Sequence, residues 1–183
     1  MKLRLAGRKV VVLVAEEFED LELWVPVMRL REEGATVVLV GKEAGKSYRG
    51  KHGLTATSDE AIANVGPDDI DVLDAVVVPG GWAPDKLRRY PEVTALVRAA
   101  HARGKVVGLI CHAGLVAISA GIVDGRRATG SLGIRDDLVN AGATWVDEPA
   151  FRDGNLVWGR VVEDIPAFCR ELVAAMAVLP GGS

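Results

Sequence analysis

The run Lys105-Val-Val-Gly-Leu-Ile-Cys111-His112-Ala-Gly114 reads as a buried strand that delivers a thiol to the start of a helix. The apolar stretch has no alternation, as in a strand covered on both faces. A nucleophile at a strand-to-helix turn is a recurring device of α/β proteins. The unpaired N–H groups of a helix start favour negative charge nearby, so a thiol placed there is expected to ionise more readily than usual.

The flanking sequence repeats the same alternation. Arg8 to Ala15 is a second β-branched run, and Ala35 to Val40 and Asp74 to Val78 are two more. Leu23, Val27 and Leu30 recur at helical spacing between Glu19 and Glu33, and Gly34 stops that helix. Gly41 to Thr57 reads as a loop with a hairpin or short strands. Helices are predicted over Glu92 to Arg103, Ala113 to Ala120, Ile134 to Ala141 and Glu163 to Leu179, with candidate strands at Thr144 to Val146 and Leu156 to Trp158. Pro180 to Ser183 reads as a tail. Strands alternating with helices imply one α/β sandwich domain over residues 1–183, with a mostly parallel sheet and helices on both faces. Ligands in such sheets gather beyond the carboxyl ends of the strands. Three segments should meet there: Glu16-Glu17-Phe18-Glu19, Pro79-Gly80-Gly81 and Cys111-His112.

Composition excludes several classes. Hydrophobic residues are 49% of the 183, enough for a well-buried core. The formal net charge is −3, and no Lys/Arg run gives the electrostatic footprint of a nucleic-acid binder. No apolar stretch approaches the ~20 residues that span a bilayer, and Met1 to Lys9 has no signal-peptide pattern. The reading is a soluble cytoplasmic protein. The 2 cysteines, Cys111 and Cys169, sit in a strand end and a helix, and no metal-ligand spacing accompanies them. Free thiols are the simpler expectation, with Cys169 packed in the core or an interface. No metal or organic cofactor is expected.

Cys111 is therefore the candidate nucleophile. His112 is a candidate base or acid toward the substrate, although neighbours at a sharp turn point apart and need not touch. One acid of the Glu16–Asp20 cluster is expected to reach the thiol; the residues themselves do not say which. Gly80 and Gly81 allow close backbone approach and, with the His112 N–H, are candidates for an oxyanion hole. Trp82 is placed to wall the pocket. The other two histidines, His52 and His101, are assigned a loop near a subunit interface and the surface of a helix.

Seven segments together resemble the PfpI intracellular-protease family of the DJ-one superfamily: AEEFEDLELWVPVMRLREEG (15–34), GKHG (50–53), VVVPGGWAPD (76–85), GLICHAG (108–114), ISAGIVDGRRAT (118–129), GIRDDLVNAGATWVDE (133–148) and DGNLVWGR (153–160). The resemblance implies a flavodoxin-like three-layer sandwich with Cys111 as nucleophile, Glu19 as the glutamate that hydrogen-bonds the thiol, and His112 as catalytic histidine. It further implies a homo-oligomer in which Asp85, one methylene shorter than the glutamate of relatives, completes the His112 site from a neighbouring subunit. The helix start also departs from relatives, reading Cys-His-Ala-Gly where they often read Cys-His-Gly-Pro. Three activities fit this residue set. The first is stress-response hydrolysis of peptides or amides. The second is glyoxalase or deglycase chemistry on methylglyoxal or its protein adducts. The third is redox sensing or chaperoning through oxidation of Cys111.

Overall fold

A computed structural model describes residues 3–180; Met1 and Lys2, and the Gly181 to Ser183 part of the expected tail, lie outside them. The elements run β1 (Lys9–Leu13), α1 (Asp20–Glu32), β2 (Thr36–Gly41), β3 (Ser47–Arg49), β4 (Thr55–Thr57), β5 (Glu60–Ala61) and β6 (Ala75–Val78). Then follow α2 (Ala83–Leu87), α3 (Pro91–Ala102), β7 (Val106–Ile110), α4 (Gly114–Ala120), β8 (Arg127–Ala128), α5 (Arg135–Asn140), β9 (Thr144–Trp145), β10 (Ala150–Asp153), β11 (Leu156–Gly159) and α6 (Ile165–Ala177).

The main sheet has seven strands in the order β10-β11-β7-β6-β1-β2-β5. All its pairings are parallel except β10 with β11. The predicted core strands are present. β1, β6 and β7 are buried almost throughout because both faces of the sheet are covered. α1 packs on α6, and α3 on α4, which places helices on the two sides of the sheet. The buried side chains form one continuous core, with Phe18, Trp158 and Phe168 the largest fully enclosed.

The short pieces β5, β8, β10 and α2 carry no clear signal in the sequence. β10 is the antiparallel edge, pairing Ala150 to Asp153 with β11. Its sequence, Ala-Phe-Arg-Asp, alternates in burial only weakly, so hydrophobic pattern alone does not mark it.

Strand order decides where chemistry can occur. The chain goes from β1 outward to β2, then returns to the other side of β1 with β6 and continues to β7. The order therefore reverses between β1 and β6, and a crevice opens at their carboxyl ends. The segments after β1, β6 and β7 all end there, as the sequence predicted. An isolated bridge between Phe18 and Gly81 ties the first two together.

Candidate active site

β7 delivers Cys111 with a φ of +60°, in the left-handed region that non-glycine residues rarely occupy. Residues 111–113 form one tight 3-10 turn before α4 starts at Gly114. The strained turn lifts the thiol off the strand end, and the Ser131 N–H holds the Cys111 carbonyl at 3.1 Å. The sulfur lies in a cleft of about 290 Å³ lined by Glu19, Glu22, Lys51, His52, Gly81, Trp82, His112, Ser131 and residues 161–163. A larger cavity of about 590 Å³, among Gly7, Lys9, Asp71, Arg103 and Lys105, lies at the opposite ends of the strands and is lined by neither a cysteine nor a histidine.

His112 does touch its neighbour. Its Nδ1 stands 3.2 Å from Cys111 Sγ, where the sequence reading allowed the two to point apart. The 3-10 turn winds the imidazole back over the sulfur. Burial first, then the nearby Lys51 charge, lowers the His112 pKa, so the ring is neutral and able to accept a proton. Trp82 leans on it with ring centroids 5.4 Å apart and also walls the cleft.

The acid beside the thiol is Glu22, not Glu19. Helix α1 begins at Asp20, so Glu19 is its N-cap, and its carboxylate accepts from the N–H groups of Leu21 and Glu22 at 2.9 and 3.0 Å. Its other oxygen stands 3.5 Å from His52 Nε2. One turn further on, Glu22 faces inward and is 1% exposed. Neither of its oxygens completes a hydrogen bond of full geometry, and its nearest polar neighbours are the Cys111 sulfur and the Gly80 N–H. Burial, and then the Glu19 charge, raises Glu22 to about 8. It therefore holds its proton at neutral pH. The Glu19 expectation failed because the helix start claimed that carboxylate for capping.

The thiol itself departs from expectation. Burial, followed by the proximity of Glu22, pushes Cys111 up to about 12. The N–H groups of Gly81 and His112 oppose this by donating toward the sulfur, but desolvation outweighs them. A 3-10 turn and a seven-residue helix give too little aligned dipole to reverse the order. The resting sulfur is a thiol, and His112 Nδ1 is the ring nitrogen beside it.

Gly80 and Gly81 are both required by geometry. A Cβ on Gly80 would overlap the Glu22 carboxyl and stand 2.6 Å from Cys111 Cβ. Gly81 has φ +74°, and a Cβ there would meet Glu17 O at 2.5 Å. The N–H of Gly80 faces Glu22 and that of Gly81 faces the sulfur, so only the second points where a reacting atom would sit.

Asp85 lies on α2, outside the cleft lining, with a half-exposed side chain paired to Arg89. Cys169 is 5% exposed in α6, and both cysteines are free. His101, expected at the surface, is partly enclosed, with a buried Nδ1 that has no partner. Among the described residues no group of three or more His, Cys, Asp and Glu side chains is arranged to hold a metal ion, and no helix is long and apolar enough to cross a membrane.

Sequence reasoning missed Glu22 and Lys51. Glu22 had a usable signal, since it lies three residues after Glu19 and one helical turn places it on the face of α1 that carries Leu23 and Pro26. Lys51 had none beyond its place in GKHG.

Comparison with known proteins places the chain among relatives of similar length and fold. The chain is 42% identical over 165 residues to Deglycase PfpI of Pyrococcus furiosus, covering 90% of this chain and 97% of that protein. It is 38% identical over 172 residues to General stress protein 18 of Bacillus subtilis, covering 93% and 98%. The structure superposes with a TM-score of 0.89 and 35% identity on a two-domain protein of Anabaena variabilis containing DJ-1/ThiJ/PfpI-like and ferritin-like domains, covering 95% of this chain and 50% of that one. The DJ-1/PfpI family model matches residues 8–175. With that span matched and relatives of about 42% identity covered almost end to end, the chain belongs to the DJ-1/PfpI family.

Proposed function

We propose that the protein is a cysteine-dependent deglycase that releases amines from adducts of α-oxoaldehydes such as methylglyoxal. The observation that carries this reading is the buried, proton-bearing Glu22 carboxyl beside Cys111. Amide hydrolysis needs a nucleophile and an acid for the leaving amine, which Cys111 and His112 supply. A second carboxyl beside the sulfur, able to give and take a proton near neutrality, is what a carbon-to-carbon proton shift requires.

The steps balance without an external oxidant or reductant. The adduct is R–NH–CH(OH)–C(=O)–CH3. The Cys111 proton passes to His112 Nδ1, the S–C1 bond forms as C1–N breaks, and the imidazolium proton leaves on the amine. Glu22 then protonates the C2 carbonyl oxygen and, as carboxylate, takes the C1 hydrogen, giving an enediol. Return of that proton to C2 and transfer of the O1 proton to the Glu22 carboxylate yield a thioester of lactate and restore the Glu22 acid. Water cleaves the S–C1 bond, restores the thiol and frees lactate. The Gly81 N–H is placed to steady the oxygen charge that develops beside the sulfur.

The name of the Bacillus relative fits a stress-response setting for such repair, and two free thiols fit a reducing, cytoplasmic compartment. His112 has no carboxylate orienting it among the described residues. Asp85 of the partner subunit in a homo-oligomer is the proposed source, since the half-exposed Asp85 side chain on α2 lies outside its own cleft. Amide hydrolysis is the second reading, favoured by the 3.2 Å thiol–imidazole contact.

The deciding experiment incubates the protein with methylglyoxal-treated N-acetyl-lysine and with peptides, measuring lactate, free amine and peptide products together. Lactate and amine should appear in equal amounts and vanish in Cys111→Ser and Glu22→Gln. Peptide cleavage that survives Glu22→Gln, with no lactate from the wild type, would replace this reading with the hydrolase.

A further inference from the structure

The hairpin joining β3 and β4 brings Lys51 and His52 to the mouth of the cleft. Its tip is fixed from inside the molecule. Asp20, 2% exposed, accepts from the N–H groups of His52 at 2.8 Å and Leu54 at 2.7 Å. The Lys51 N–H donates to Phe18 O at 2.9 Å, and Gly50 N–H to Leu54 O at 2.8 Å. A buried carboxylate that spends both oxygens on a solvent-facing turn sets the position of what that turn carries.

What it carries at this point is an ammonium group. Lys51 Nζ stands 5.6 Å from the centroid of Trp82, the ring that leans on His112. Among the described residues no carboxylate forms an ion pair with it, whereas Lys46 and Lys86 each have one. Its charge is felt at both Glu22 and His112, drawing each downward. None of the acids that share the cleft forms an ion pair with it among the described residues. Glu22 bears a proton at neutral pH, Glu19 is engaged in the helix cap, and Glu163 is exposed on another element of the cleft lining.

We propose that Lys51 is an anion-recognition residue of the cleft, favouring α-oxo compounds that carry negative charge on the carbon next to the one Cys111 attacks. This deepens the reading of the site as thiol–carbonyl chemistry and rests on it. Glyoxylate is the simplest member of the class. The thiol adds across its aldehyde, the S–C bond forming and the sulfur's proton ending on the carbonyl oxygen. The neighbouring carboxylate faces the ammonium, and it has no ketone to receive a shifted proton. Glyoxylate therefore occupies the site reversibly without turnover, while methylglyoxal adducts meet Lys51 only as their C2 oxygen gains negative character.

The test needs no turnover. Cys111 in the intact protein is alkylated with iodoacetate, an anion, and with iodoacetamide, its neutral counterpart, and both rates are read from the mass of the Cys111 peptide. Changes in thiol ionisation affect both reagents alike and cancel in the ratio. The iodoacetate-to-iodoacetamide ratio should fall about fivefold in Lys51→Met, hold in Lys51→Arg, and approach the Met value for all three proteins in about 1 M salt. Glyoxylate should protect Cys111 from iodoacetamide in the wild type and Lys51→Arg, and less in Lys51→Met. An unchanged ratio across the three proteins overturns the proposal. A protein with the expected ratios but no lactate production sinks the deglycase reading and leaves the anion site standing.

Discussion

Replacing Glu22 by Gln should change how stability depends on pH, with a sign and size that the structure fixes. Burial, then Glu19, lifts this carboxyl from an ordinary 4.5 to about 8. Between those values the folded protein keeps a proton that the unfolded chain has released. The stability contributed by that proton is complete below the unfolded value and is lost as pH rises through the folded one. At ~1.4 kcal/mol per pH unit the span corresponds to a loss on the order of 5 kcal/mol. His112 and His101, both lowered mainly by burial, act with the opposite sign, losing stability as pH falls below their ordinary value. They are present in both proteins and cancel in the difference. Gln preserves the side chain's size but cannot titrate. Glu22→Gln should therefore match or trail the wild type at pH 5 and exceed it by several kcal/mol at pH 9. For a chain of this size that is a gap on the order of 10 °C in Tm. Urea unfolding followed by circular dichroism at pH 5, 7 and 9 measures it directly. Wild-type and variant curves that stay parallel across this range would show that Glu22 is ionised in the native protein, and the proton-shuttle role would fall with it.

Other outcomes follow from the same site. Alkylation of Cys111 by iodoacetamide should keep accelerating past pH 9, because burial holds the thiol near 12; a plateau near neutrality would instead reveal a thiolate stabilised by its surroundings. Gly80→Ala should cost ~1–3 kcal/mol of stability and most of the activity, since the added methyl overlaps the Glu22 carboxyl and crowds Cys111. A Gly80→Ala protein with normal lactate production would show that Glu22 is free to move away. Glu19→Ala should lower stability by ~1 kcal/mol through loss of the α1 cap and leave Cys111 alkylation nearly unchanged. A strong effect on the thiol would make Glu19, rather than Glu22, the acid that controls the sulfur.

Much of this site could be read along the chain, and its limits have physical causes. Cys111 stood out because a β-branched run, a thiol and a helix start are local features, and strand-end placement follows from topology rules alone. The Pro79-Gly80-Gly81 segment was legible for the same reason. The displacement of Glu19 from the thiol was not. It depended on which residue begins α1, and a cap position is settled only when the backbone N–H groups of Leu21 and Glu22 have found their partner. Lys51 was invisible because its place is set by Asp20, a residue far earlier in the chain that holds the hairpin from the core.

What the chain alone determined is the alternation of buried strands with helices, and hence the sandwich and the edge of the sheet where a nucleophile must stand. Apolar periodicity and turn residues act over a few neighbours, so they can be read in order. The tertiary structure decided the protonation of the site. How far Glu22 and Cys111 are stripped of water, and which charges face them, depends on groups brought together from α1, the segments after β6 and β7, and the β3–β4 hairpin. Desolvation is a property of that assembled environment, and it reversed the expected ionisation of the thiol.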